Sequence, residues 1–143
     1  LHSFPTRRSS DLVGASDKGE NECSLVFRVR GPGYTLLVTG DIGEETERKI
    51  VRYWENTDAM QSDLLAVPHH GSKYSSSKEL LQAVSPSIAA IQVGKNTYGH
   101  PSGEALERLK TSHATIFRND LHGAVGIFPD NNQFRVRTIL HPD

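Results

Sequence analysis

The sequence predicts a layered α/β domain. Three observations carry that prediction. Apolar runs of strand length alternate with stretches of helical periodicity, several of the runs are apolar on both faces, and three of them end in turns rich in aspartate, histidine and glycine. Those turns are Thr39-Gly40-Asp41, Pro68-His69-His70-Gly71-Ser72 and Gly99-His100-Pro101. Each puts a metal-competent or proton-transferring side chain where a strand gives way to a loop, which is where layered α/β proteins collect their chemistry. The ends of three strands are expected to converge on one site.

The elements follow from periodicity. Residues 23–30 alternate, with Cys23, Leu25, Phe27 and Val29 on one face. The apolar run 34–39 resumes after Gly31-Pro32-Gly33, so the two read as a hairpin. Val26 and Leu37 make its other face apolar too, the mark of a sheet covered on both sides. Residues 44–54 read as a helix with acids in the first turn, bases later, and an apolar stripe of Ile50, Tyr53 and Trp54. Residues 63–67 form a short buried strand. Ser76 and Glu79 have capping-box spacing ahead of a helix carrying Leu80, Leu81 and Val84, and Pro86 stops it. A strand over 88–93, a helix with Ala105, Leu106 and Leu109, and strands over 115–117, 123–128 and 134–139 complete the order.

Residues 1–12, LHSFPTRRSSDL, stand apart. They lack the apolar stretch of a secretory signal and resemble one translated frame of a sequencing adapter. They are expected to be a disordered artefact, and residues 13–143 to be part of one domain. With 16 basic and 17 acidic side chains the net charge is −1, which announces neither a nucleic-acid stripe nor a membrane-hugging surface. Cys23 is the sole cysteine and excludes an internal disulfide or a cysteine-rich zinc site; it reads as a small apolar strand residue. No run of about 20 apolar residues is present to span a membrane, and the chain is expected to be soluble by itself.

Each candidate residue has two readings. Asp41 is either the N-cap of the following helix or a carboxylate able to bridge two cations about 3.5 to 4 Å apart. His69 and His70 are either solvated loop residues or a general acid for a leaving group, with Gly71 allowing a tight backbone approach. Ser72 and Lys73 would then lie near any anionic oxygen, though a polar surface loop also explains them. His100 either packs at a helix entry, with Pro101 in the helix's first turn, or ligates the same metal as Asp41. Asn96 opens the turn before it and is a further candidate for substrate contact. Lys73, Lys95 and Arg118 are candidates for phosphate contacts, with solvated surface positions as the alternative. His2, His113, His122 and His141 read as surface residues.

The stretches taken together resemble the second half of a metallo-β-lactamase-fold hydrolase, and more narrowly the carboxy-terminal domain of the ComEC family of competence DNA-uptake proteins. The match runs from Asn21 with Ser24-Leu25-Val26 through Leu37-Val38-Thr39-Gly40-Asp41. It continues over residues 63–72, Pro86, Asn96-Thr97-Tyr98-Gly99-His100-Pro101 and Phe117-Arg118-Asn119-Asp120 with Gly123. The resemblance implies the carboxy-terminal part of an αββα sandwich in which the residue at Asp41 bridges two divalent metal ions, zinc or manganese. The residue at His100 ligates the second metal, and histidines near His69 and His70 assist phosphodiester cleavage by a metal-activated hydroxide. It further implies DNA as substrate, a parent chain with membrane-channel segments, and other competence proteins as partners. The expected location is the cell membrane, with this domain extracytoplasmic.

One departure bounds these expectations. The family's main metal motif, H-x-H-x-D-H, occurs nowhere in the chain, so the residues given are expected to hold an incomplete dinuclear site and to be inactive alone. Equimolar tight binding of two metals would contradict this. A sheet face left partly exposed by the absent half is expected to favour self-association, checked by sedimentation at rising concentration. Two further functions are consistent with the residues: a freestanding hydrolase of another phosphodiester or ester, and a catalytically dead scaffold.

Overall fold

The computed structural model describes residues 20–131 and 133–141. The adapter-like segment and His2 lie outside the described residues. The elements are β1 (Phe27–Gly31), β2 (Tyr34–Val38), α1 (Glu44–Tyr53), β3 (Leu64–Ala66), α2 (Lys78–Val84), β4 (Ile88–Ile91), α3 (Gly103–Thr111), β5 (Thr115–Arg118), α4 (Asn119–His122), β6 (Val125–Asp130) and β7 (Gln133–Thr138). The architecture is mixed α/β, as the periodicity predicts.

One sheet runs in the order β1-β2-β3-β4-β5, with β1 antiparallel to β2 and the rest parallel. Each parallel step crosses over through a helix. Strands added successively in one direction with right-handed crossovers put every crossover helix on the same face, and α1, α2 and α3 do share one face. There Leu37, Leu65, Ala89 and Ile91 of the sheet pack with Leu80, Leu81 and Val84 of α2 and Leu109 of α3, while Ile50 and Trp54 of α1 lean on the same core.

The opposite face carries Leu36, Val38, Leu64, Ala66, Ile88 and Ala90, the residues out of phase with the core row. It is not bare. The β6–β7 hairpin lies over part of it, its inward row including Val125, Ile127 and Phe134, and the two enclose a cleft of about 420 Å³. The alternation in β7 shows why: Phe134, Val136 and Thr138 are half-buried, while Gln133, Arg135 and Arg137 face solvent.

Several local expectations are corrected. Residues 20–23 form a 3₁₀ turn rather than strand, and the sole cysteine is an exposed free thiol. The cause is a local alternative to the ladder: Ser24 donates its hydroxyl to the Asn21 carbonyl at 2.7 Å and its amide to the same oxygen. In α1, Tyr53 is exposed and Glu47 occupies the buried stripe. The α2 cap is Ser77, not Ser76; its hydroxyl accepts from Leu80 N, and Glu79 pairs with Arg48. Pro101 precedes α3 instead of opening it, because Ser102 caps the helix by accepting from Ala105 N. The short helix α4 had no periodic signal. Among the described residues no helix is long and apolar enough to cross a membrane.

Candidate functional site

Because β2, β3 and β4 are parallel, their carboxyl ends lie along one edge of the sheet. The loops leaving that edge carry Asp41, then His69 and His70, then His100. The sequence places these residues at strand ends, and the parallel register puts the three ends side by side.

Asp41 does not cap α1. That position is taken by Gly43 without a side-chain bond, and Glu44 N donates to the Tyr74 carbonyl instead. The Asp41 carboxylate is half-exposed and faces His70, with Oδ1 3.7 Å from Nε2. Its backbone is held from below: Asp41 N donates to Ser24 Oγ at 3.1 Å, and Gly40 turns at φ +60 against that serine. A Cβ at Gly40 would lie 2.7 Å from Ser24 Cβ, so the close approach requires glycine.

His69, His70 and Gly71 are three successive residues at positive φ (49, 53 and 78). For the two histidines this is a strained conformation, held by the surrounding contacts. His69 N donates to the Gly40 carbonyl at 3.1 Å, tying the second loop to the first. Ser102 N donates to the Gly71 carbonyl at 2.9 Å, tying the third loop to the second. The His70 Nδ1 lies 2.6 Å from the Gln92 carbonyl, which only accepts, so Nδ1 carries the proton. In the neutral ring Nε2 is then left with its lone pair on the Asp41 side. The His69 and His100 rings meet edge to face with centroids 5.6 Å apart, and the Asn21 carboxamide sits 3.4 Å from His69 Nε2. Burial, reinforced by the His69 and His70 imidazoles, holds His100 below the ordinary imidazole pKa of 6.5.

The remaining candidates divide. Asn96 is a loop brace rather than an open contact: its oxygen accepts from Tyr98 N and His100 N, and its nitrogen donates to the carbonyls of Gly94 and His100. Ser72 is buried, its hydroxyl accepting from Tyr74 N, so it is turned away from solvent. Lys73 stays exposed, its Nζ 4.8 Å over the Tyr74 ring. Lys95 is exposed. Arg118 is engaged by a bidentate pair with Asp120, which holds that carboxyl below the usual aspartate range. His122 is half-buried, with Nδ1 against the Arg118 backbone, while His113 and His141 are exposed.

Two positioning residues carry no sequence signal. Glu47 is fully buried, and its carboxylate accepts from Ser76 N at 2.6 Å and Ser77 N at 2.7 Å. Arg108 of α3 donates to the carbonyls of Lys73, Ser75 and Ser76. The serine loop that follows the histidines is therefore gripped from α1 and from α3. Ser75 and Ser77 bond within the loop and the cap of α2, whereas the buried Ser76 hydroxyl has no partner.

Three imidazoles and a carboxylate suit a divalent transition metal in kind, and His100 Nδ1 is buried without a partner. The arrangement falls short. Among the described residues no group of three or more His, Cys, Asp or Glu side chains is arranged to hold a metal ion. As they stand, the described residues do not make a metal centre.

Fold and site together define a mixed α/β domain whose polar cluster lies at the carboxyl edge of a parallel sheet. The sequence is 34% identical to the ComE operon protein 3 of Bacillus subtilis strain 168 over 107 residues, covering 74% of this chain and 13% of that protein. It is 37% identical to the competence protein ComA of Neisseria gonorrhoeae over 124 residues, 85% of this chain and 17% of that protein. It is 31% identical to the recombination protein 2 of Haemophilus influenzae over 111 residues, 77% and 14% respectively. No family model matches the chain. These similarities relate the chain to competence proteins, of whose length it spans only 13 to 17%.

Proposed function

We propose that this chain is part of a nuclease domain of a DNA-uptake protein, the second half of a metallo-β-lactamase-like αββα sandwich. The observation that carries the reading is the meeting of Asp41, His69, His70 and His100 at one sheet edge. It is joined by similarity to proteins named for competence. In this reading Asp41 and His100 contribute to a site for two divalent ions whose other donors come from outside the described residues. His70, once Nε2 facing Asp41 is protonated, or His69 beside it, transfers a proton to the leaving group. The parent protein is a membrane channel, with DNA as substrate.

The test is phosphodiester cleavage by a protein carrying this domain within a chain as long as its relatives, supplied with zinc or manganese. Asp41→Ala and His100→Ala are each expected to lower cleavage by about a hundredfold or more while leaving the circular dichroism spectrum unchanged. Cleavage that survives both substitutions sinks the reading. A well-folded parent with no activity on any phosphodiester or ester points to the scaffold alternative.

A further inference from the structure

The loop from β4 to α3 holds one side chain that packing does not explain. Tyr98 is 82% exposed, more than any other large apolar side chain among the described residues. Its place is nevertheless well determined. The Asn96 carboxamide accepts from both Tyr98 N and His100 N, so the backbone on either side of Gly99 is fixed by one side chain. The tyrosine ring stacks on the His100 ring at an interplanar angle of 27° with centroids 6.1 Å apart. His100 in turn touches His69.

A large aromatic face thus stands open to solvent one ring away from the polar cluster, on a loop braced to keep it there. Such a face gains from covering by a planar partner, and an aromatic ring stacks on any nucleobase because every base has a π-face. A base in a duplex is already stacked between its neighbours and is not free to do so. A base in a single strand is free.

Resting on the nuclease reading above, we infer that Tyr98 is the stacking platform for one nucleobase of a single strand, seating the adjoining phosphodiester over His100 and His69. The contact is indifferent to base identity and selects single strands over duplex.

Fluorescence anisotropy of this chain with labelled oligomers of about 12 nucleotides tests it. The probes are oligothymidine, an abasic oligomer of the same length and a thymidine–adenosine duplex. Oligothymidine is expected to bind about tenfold more tightly than the abasic oligomer, since both carry the same phosphates and only one has bases to stack. Tyr98→Ala should remove that difference and Tyr98→Phe should keep it. Equal affinity for the two single strands in the unaltered chain overturns the proposal, as does a preference that persists in Tyr98→Ala. Asp41→Ala separates this proposal from the nuclease reading. It should leave the ratio of the two affinities unchanged, whereas its effect on cleavage in the longer protein reports on the nuclease reading alone.

Discussion

Glu47→Ala is expected to destabilise the domain by about 3 to 4 kcal/mol, because it strips the acceptor from two buried amides, each costing about 1 to 3 kcal/mol when left unpaired. Those amides belong to Ser76 and Ser77, so the loss falls on the loop that follows the histidines. Glu47→Gln keeps one acceptor oxygen and should lie between the two in chemical denaturation. The same pair of proteins carries a pH signature. Burial outweighs the amide hydrogen bonds and raises the Glu47 carboxyl above its ordinary 4.5, so the folded chain retains this proton to higher pH than the unfolded chain. The stability tied to that proton is fully present below the unfolded pKa and is lost as pH rises through the raised folded value. The unfolding free energy of the unaltered protein, minus that of Glu47→Gln, should therefore fall as pH rises above the ordinary carboxyl value of 4.5. A flat difference would show that Glu47 titrates alike in both states.

Gly71→Ala should cost about 3 kcal/mol for two separate reasons. An alanine at φ +78 adopts the left-handed region at about 1 to 2 kcal/mol, and its Cβ would lie 2.6 Å from Pro101 Cβ, an overpacking that costs a similar amount or more. The clash is with the loop that carries His100, and the Gly71 carbonyl is the acceptor that ties that loop down through Ser102 N. Relief of the clash should therefore move His100 away from His69. Gly103→Ala is the control. Nothing lies within 4 Å of a Cβ there, and the position is in the first turn of α3, so the substitution should be neutral or stabilise by up to about 1 kcal/mol. A melting temperature for Gly71→Ala within a degree or so of that for Gly103→Ala would refute the account.

The elements that periodicity places most firmly are those with a continuous apolar run or stripe. The helices around Leu80 and Leu109 fall where the pattern puts them, and the strand expected over 88–93 is Ile88–Ile91. Residues 23–26 do not, because Asn21 and Ser24 spend their polar groups on a local turn and on the Asp41 backbone, a use that alternation cannot reveal. The serine run misleads in the opposite direction. Its composition reads as a solvated loop, yet Ser75, Ser76 and Ser77 are buried because Glu47 and Arg108 satisfy the backbone around them.

The sequence by itself determined which side chains stand at strand ends, since a turn after an apolar run is a local feature written in adjacent residues. It also determined, through the alternation of strand-length and helical stretches, that the domain would be layered α/β. Only the tertiary structure decided that Asp41 faces His70 rather than the helix behind it, that Asn96 braces a loop, and that Tyr98 remains open beside His100. Those outcomes depend on contacts between residues far apart in the chain. Their partners are chosen by strand register and by the few hydrogen bonds that tie one loop to the next.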